Sequence, residues 1–114
     1  MLSFDVFISY QRIHEPEAYS PTGFYQEKLA EAVAADQLGY DVIWVPEHHL
    51  IQFMPAPSTL MLATQIGMRV QTRVGTMVSL LNYRHPLITA GEIGLADQIL
   101  EGRLELGVGR GAYE

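Results

Sequence analysis

The sequence has no cysteine. That excludes a disulfide framework and a thiolate metal site, and it fits a reducing cytoplasm. Basic residues are scarce: seven Lys and Arg against thirteen Asp and Glu leave a net charge of −6, and the seven are scattered singly. A nucleic-acid surface needs clustered positive charge, so DNA and RNA are excluded as partners. No apolar stretch approaches the ~20 residues of a membrane-spanning helix, and no membrane association is expected. The start, Met1-Leu2-Ser3-Phe4-Asp5, lacks the basic region and apolar core of a secretory leader, so the expectation is a soluble, cytoplasmic protein. Low-complexity tracts and composition breaks are also absent, and residues 1–114 read as a single segment. With 48% hydrophobic and 18% charged residues, that segment has the makings of one globular core.

The chain is organised around Asp41-Val42-Ile43-Trp44-Val45-Pro46-Glu47-His48-His49. Val42 to Val45 are β-branched or aromatic and do not alternate with polar residues, as a half-exposed strand would. A strand covered on both faces is the mark of a parallel sheet in an α/β protein. Functional groups in such folds gather at the carboxyl ends of strands, where Glu47, His48 and His49 fall.

Other elements follow from the same reasoning. Residues 2–10 read as a first strand, and 11–21, with Pro16 and Pro21, as a long loop. Thr22 to Leu38 carries Tyr25, Leu29, Ala32 and Val33 at helical spacing, with Glu27, Lys28 and Glu31 on other faces and Gly39 as a stop. After a loop over Leu50–Pro57, Ser58 suits the N-cap of a short helix carrying Leu62, Ala63 and Ile66. Strand three is expected from Arg73 to Ser79, followed by a loop over Asn82–His85. Pro86 then opens a third helix with an inward stripe of Ile88, Gly91, Leu95 and Ile99, closed by Gly102. Strand four runs from Arg103 to about Gly109. Strand starts near 41, 73 and 103 recur every 30 to 32 residues, the period of a repeated βα unit.

Three stretches could carry chemistry. His48 and His49, adjacent on a strand, point to opposite faces and cannot easily share a metal ion; no His-x-x-x-His or carboxylate spacing completes a set, so no metal is expected. The pair is either a solvated, hydrogen-bonded loop or a proton donor and acceptor for a ligand, and the strand-end position favours the second. Gly107-Val108-Gly109-Arg110-Gly111 combines backbone that a ligand can approach closely with a guanidinium suited to phosphate. It lacks the Gly-x-Gly-x-x-Gly dinucleotide pattern, and a glycine turn with a solvated arginine is the plainer reading. Gly75-Thr76-Met77-Val78-Ser79 is most simply a core strand with Met77 as filler. Trp44 is assigned to the core, His85 to a helix start, and His14 to an uninformative loop.

Together, Asp41 through His49, Arg73-Val74-Gly75-Thr76, His85-Pro86-Leu87, Asp97-Gln98 and Gly102 through Gly111 resemble, in order and spacing, the bacterial luciferase-like flavin monooxygenases. The resemblance implies a TIM (βα)8 barrel with flavin at its C-terminal mouth. A complete barrel needs ~250 residues and eight strands, so this α/β chain is expected to be its N-terminal half, about four parallel strands with three helices, the C-terminal half being absent. As an incomplete segment, the chain by itself would be inactive. Reduced flavin mononucleotide (FMN) is the implied cofactor, with a deazaflavin possible as in a related branch of the fold. The implied reaction is oxygenation of a small organic substrate by molecular oxygen through a flavin hydroperoxide. A flavin reductase is the implied partner and a homo-oligomer the implied assembly. Carried over by residue, His48 looks like the catalytic histidine and Arg110 like a flavin phosphate contact. Thr76, Met77 and Val78 match a flavin-side segment that often holds a non-proline cis peptide, here at Met77–Val78. Gly109 stands where the luciferase α-chain has a reactive cysteine.

Two other readings stand beside this one. A non-catalytic half-barrel would self-associate through its edge strands and uncovered apolar face, binding flavin weakly at most. A short doubly wound domain fits the βα period equally well.

Overall fold

A computed structural model describes residues 1–12 and 20–111; His14, Pro16, Tyr113 and Glu114 lie outside the described residues. In chain order the elements are β1 (Val6–Phe7), α1 (Pro21–Gln37), β2 (Val42–Val45), α2 (Thr59–Gly67), β3 (Arg73–Leu80), α3 (Pro86–Ile99) and β4 (Leu104–Gly109), with a 3-10 turn over Leu81–Tyr83. The four strands form one parallel sheet in the order β1-β2-β3-β4.

Side-chain alternation sorts the sheet into two faces. Val6, Ile43, Val74 and Leu104 are register partners, and Ile43 and Val74 are fully buried against the helices, with Val45 one pleat further on. Phe24, Leu29 and Ala32 of α1 and Leu62, Ala63 and Ile66 of α2 complete this layer. The other face carries Phe7, Trp44, Gly75 and Glu105, also in register. Here the expectation that both faces are covered fails: Phe7 is about half exposed and Trp44 only partly buried. Trp44 is therefore not in the helix-facing core. Its indole lies across Gly75, where an added Cβ would meet the ring at 2.3 Å, and its Nε1 donates to Asp5 Oδ2 at 3.1 Å.

Helix starts follow their local chemistry. Ser20 accepts from the Gly23 amide, Ser58 from Met61, and His85 Nδ1 from Leu87, with Pro21 and Pro86 at first-turn positions that have no amide to satisfy. Pro21 thus opens α1 and does not close the preceding loop. Strand one is shorter than expected because it is an edge paired only with β2; flanking bonds, Asp41 N to Phe4 O and Ile8 N to Trp44 O, both 2.9 Å, extend the contact without forming a ladder.

The inward stripe expected on α3 is rotated by about one residue. Thr89, Ala96 and the following Leu100 are buried, whereas Ile88, Leu95 and Ile99 are 59%, 61% and 45% exposed. The small Thr89 and Ala96 let the helix approach, and Leu100 seats against the backbone of Gly67. Burying Leu100 fully contributes ~2 kcal/mol. Lys28, assigned to an outer face, is buried: its ammonium lies 5.6 Å from the centre of the Phe24 ring and reaches Glu31 Oε1 at 2.7 Å.

The amino ends of the strands are tied by buttressing groups. Arg103 donates to the carbonyls of Gly67, Val70 and Thr72 at 2.8, 3.0 and 3.0 Å. Asp36 Oδ1 accepts from the Gln71 and Thr72 amides, and Asp97 Oδ1 from Leu104. Chemistry is left to the opposite, carboxyl ends.

Candidate active site

At the end of β2 three consecutive residues are each held differently. Glu47 is sealed in, its side chain 1% exposed, with Oε1 2.7 Å from His49 Nε2 and Oε2 3.4 Å from the Leu80 amide of β3. His48 is anchored by its main chain, its amide donating to Ala56 O at 2.7 Å in an isolated antiparallel bridge. His49 is 28% exposed and its ring lies 5.2 Å from that of Tyr83, tilted by 45°. Glu47 and His49 thus meet through their side chains on either side of His48 in the chain. Among the described residues no three His, Asp or Glu come together as a metal set.

On β3 the Met77–Val78 peptide is cis, at the place the resemblance indicated. The ladder with β4 shifts register there, between Thr76 and Ser79. Thr76 is fully buried and its hydroxyl serves the neighbouring strand, donating to Gly107 O at 2.8 Å and accepting from Gly107 N at 3.1 Å. Met77 is 46% exposed, so it is not the core filler that the residue-level reading made it. Val78 lies over β4: a Cβ on Gly109 would stand 2.8 Å from Val78 Cγ2. A side chain at Gly109 would displace Val78, so the glycine is set by strand packing.

The candidate residues thus lie on three neighbouring strand ends. Val78 and Gly109 are in contact, and Thr76 is bonded to Gly107. His48 and Arg110 are kept apart by β3, two strand spacings or ~10 Å across the sheet. Arg110 is exposed and makes no ion pair among the described residues. Two clefts lie elsewhere, between helices: about 450 Å³ lined by Tyr25, Met61 and Gln65, and about 360 Å³ lined by Thr64, Arg84 and Ile99. They have no share in the strand-end chemistry. Tyr10, buried in the sheet-helix layer, has its phenol pKa pushed up chiefly by burial, then by Tyr25 and Glu31, and its hydroxyl has no partner among the described residues. It stays a neutral phenol.

Sequence reasoning missed the Glu47–His49 pair and the Arg103 fork. The first had a signal in its i, i+2 spacing; the second, an arginine at a strand start, had none.

Comparison with known proteins bears on this geometry. The sequence model of the family described as "Luciferase-like monooxygenase" matches residues 2–114. The oxygenase component of a flavin-dependent trigonelline monooxygenase from Acinetobacter baylyi is 30% identical over 98% of this chain and 31% of its own length. The alkanal monooxygenase alpha chain of Photorhabdus laumondii is 27% identical over 88% of this chain and 28% of its own. The chain therefore spans about three-tenths of the length of these curated relatives. Among solved structures, the oxygenating constituent of 3,6-diketocamphane monooxygenase from Pseudomonas putida, in complex with FMN, superposes with a TM-score of 0.85 at 27% identity, covering 99% of this chain and 30% of that one. A coenzyme F420-dependent tetrahydromethanopterin reductase from Methanopyrus kandleri, 23% identical with a TM-score of 0.66, shares the fold. Four parallel strands and three helices are half of such a TIM barrel.

Proposed function

The chain belongs to the luciferase-like flavin-dependent monooxygenases, and from that premise we propose that its strand ends bind flavin and take part in oxygenating a small organic substrate with molecular oxygen. The observation that carries the reading is the juxtaposition of His48, the cis Met77–Val78 segment and the Gly109–Arg110 turn at the carboxyl ends of β2, β3 and β4.

These residues fit reduced FMN. Arg110, exposed and without an ion pair among the described residues, suits a phosphate through its planar fork. The Thr76 bonds to Gly107 fix the backbone of β3 against β4, while Met77 stays open to an apolar ring system. When bound, reduced FMN supplies the electrons that activate oxygen. His48, whose backbone is pinned at Ala56, is the group able to donate and accept a proton there. A deazaflavin is the alternative occupant. We also propose a cytoplasmic location, a separate flavin reductase as the source of reduced cofactor, and self-association. Residues 1–114 are proposed as one half-barrel segment, inactive as an isolated chain. No helix among the described residues is long and apolar enough to cross a membrane.

The test is titration of FMN into the chain, followed by flavin fluorescence, with Arg110→Ala as comparison. Saturable binding weakened by the substitution supports the proposal; affinity unchanged by it removes Arg110 from the site.

A second reading, a half-barrel whose role is assembly, has its own observation. The non-helical sheet face leaves Phe7 exposed, and edge strand β4 leaves Leu106 and Val108 exposed, each 44–48% accessible. Saturable flavin binding would count against a purely assembling role.

A further inference from the structure

We infer that Glu47 is a positioning residue for this site, acting through His49 and Leu80 to set the placement of His48. The inference rests on the reading of His48 as the proton-handling group.

A carboxylate with a 1% exposed side chain persists inside a protein only when its charge is met by donors. Glu47 has two, one from the segment that follows β2 and one from β3. His49 Nε2 approaches Oε1 at 2.7 Å, the length of a charge-assisted bond, and the Leu80 amide approaches Oε2 at 3.4 Å. The carboxylate therefore clamps the end of β2 to the end of β3, two residues beyond Val78 and its cis bond. His48 stands between Glu47 and His49, and its own amide is fixed at Ala56 O. With both neighbours held by side chains and its backbone held by the bridge, little beyond its side-chain torsions remains for the His48 ring to explore. Releasing either end of the Glu47–His49 contact frees the segment that carries His48.

The experiment uses the full 114-residue chain labelled with nitrogen-15, reading the imidazole ring nitrogens of His48 and His49 by NMR, with FMN titration in parallel. Four variants are compared with the parent: Glu47→Gln, His49→Leu, His49→Gln and His48→Ala. His49→Gln keeps a donor that can reach Glu47 and serves as the rescue. The expected result is that Glu47→Gln and His49→Leu shift the His48 ring resonances and weaken FMN binding no more than His48→Ala does, less than about threefold, while His49→Gln restores the resonances toward the parent values. A purely structural Glu47 would lower stability yet leave the His48 resonances of the folded protein in place, and that outcome overturns the inference. If Glu47→Gln does not fold, the His49→Leu and His49→Gln pair decides by the same criterion. Failure of the underlying reading looks different: His48 ring resonances that follow Glu47 yet do not shift when FMN is added keep the clamp and remove His48 from the flavin site.

Discussion

The Thr76 hydroxyl bonds both the carbonyl and the amide of Gly107, and the Thr76 carbonyl stands 2.3 Å from where a Gly107 Cβ would be. The two strands touch backbone to backbone beside the cis segment, so room at Gly107 is limited by atoms that cannot rotate away. At Gly109 the obstacle is a methyl of Val78, which can give way. Gly107→Ala is expected to cost ~2–3 kcal/mol and Gly109→Ala ~1 kcal/mol. Urea unfolding of both variants checks this, and equal costs would contradict the packing described.

Arg103 is expected to matter for folding and not for flavin. Its guanidinium satisfies three carbonyls at once. Arg103→Ala leaves them short of a donor and is predicted to destabilise by ~2–4 kcal/mol, with Arg103→Lys recovering only part because an ammonium lacks the fork. Denaturant midpoints measure the loss, and FMN affinity of the folded fraction should be unchanged.

Tyr10 gives a pH dependence with a definite sign. Burial first, and then Tyr25 and Glu31, raise its folded pKa above the ordinary phenol value of ~10. The unfolded chain releases the proton first as pH rises, so stability is fully present below about pH 10 and is lost above it. Because the buried hydroxyl has no partner among the described residues, Tyr10→Phe should cost little near neutrality and flatten the alkaline loss. Urea midpoints from about pH 8 to 11 test both arms; an unchanged slope in the variant would contradict the assignment.

The open sheet face predicts assembly. With Phe7 and Met77 each 46% exposed, Val108 of edge strand β4 48% exposed, and β1 and β4 unpaired on their outer sides, the chain should elute as a dimer or larger species. Light scattering on a sizing column decides, and a stable monomer that unfolds cooperatively would contradict it.

Much of this was legible in the residues. The unbroken Val42–Val45 run gave a parallel strand, Ser58 and Pro86 gave helix starts, and the βα period gave the strand count. The cis peptide was legible only through family resemblance, because nothing about Met77 or Val78 demands it. The α3 face was misread because periodicity ranks residues by hydrophobicity, whereas packing there selected the small Thr89 and Ala96 over Ile88 and Leu95. Trp44 was misplaced for a related reason. An indole is apolar enough to read as core, yet its N–H found Asp5 and its ring found Gly75 on the open face. The Glu47–His49 pair stayed hidden while attention was on the two histidines as joint ligands.

The central claim is the proposal that Arg110 and His48 would both serve one flavin site at the strand ends, Arg110 holding the phosphate and His48 handling a proton. Parallel FMN titrations of the parent, Arg110→Ala and His48→Ala chains test it most directly. The account predicts about tenfold weaker binding for Arg110→Ala, the loss of one charge-assisted phosphate contact, and less than about threefold for His48→Ala. Equal, negligible effects of the two substitutions, or no saturable binding by the parent chain, would contradict it.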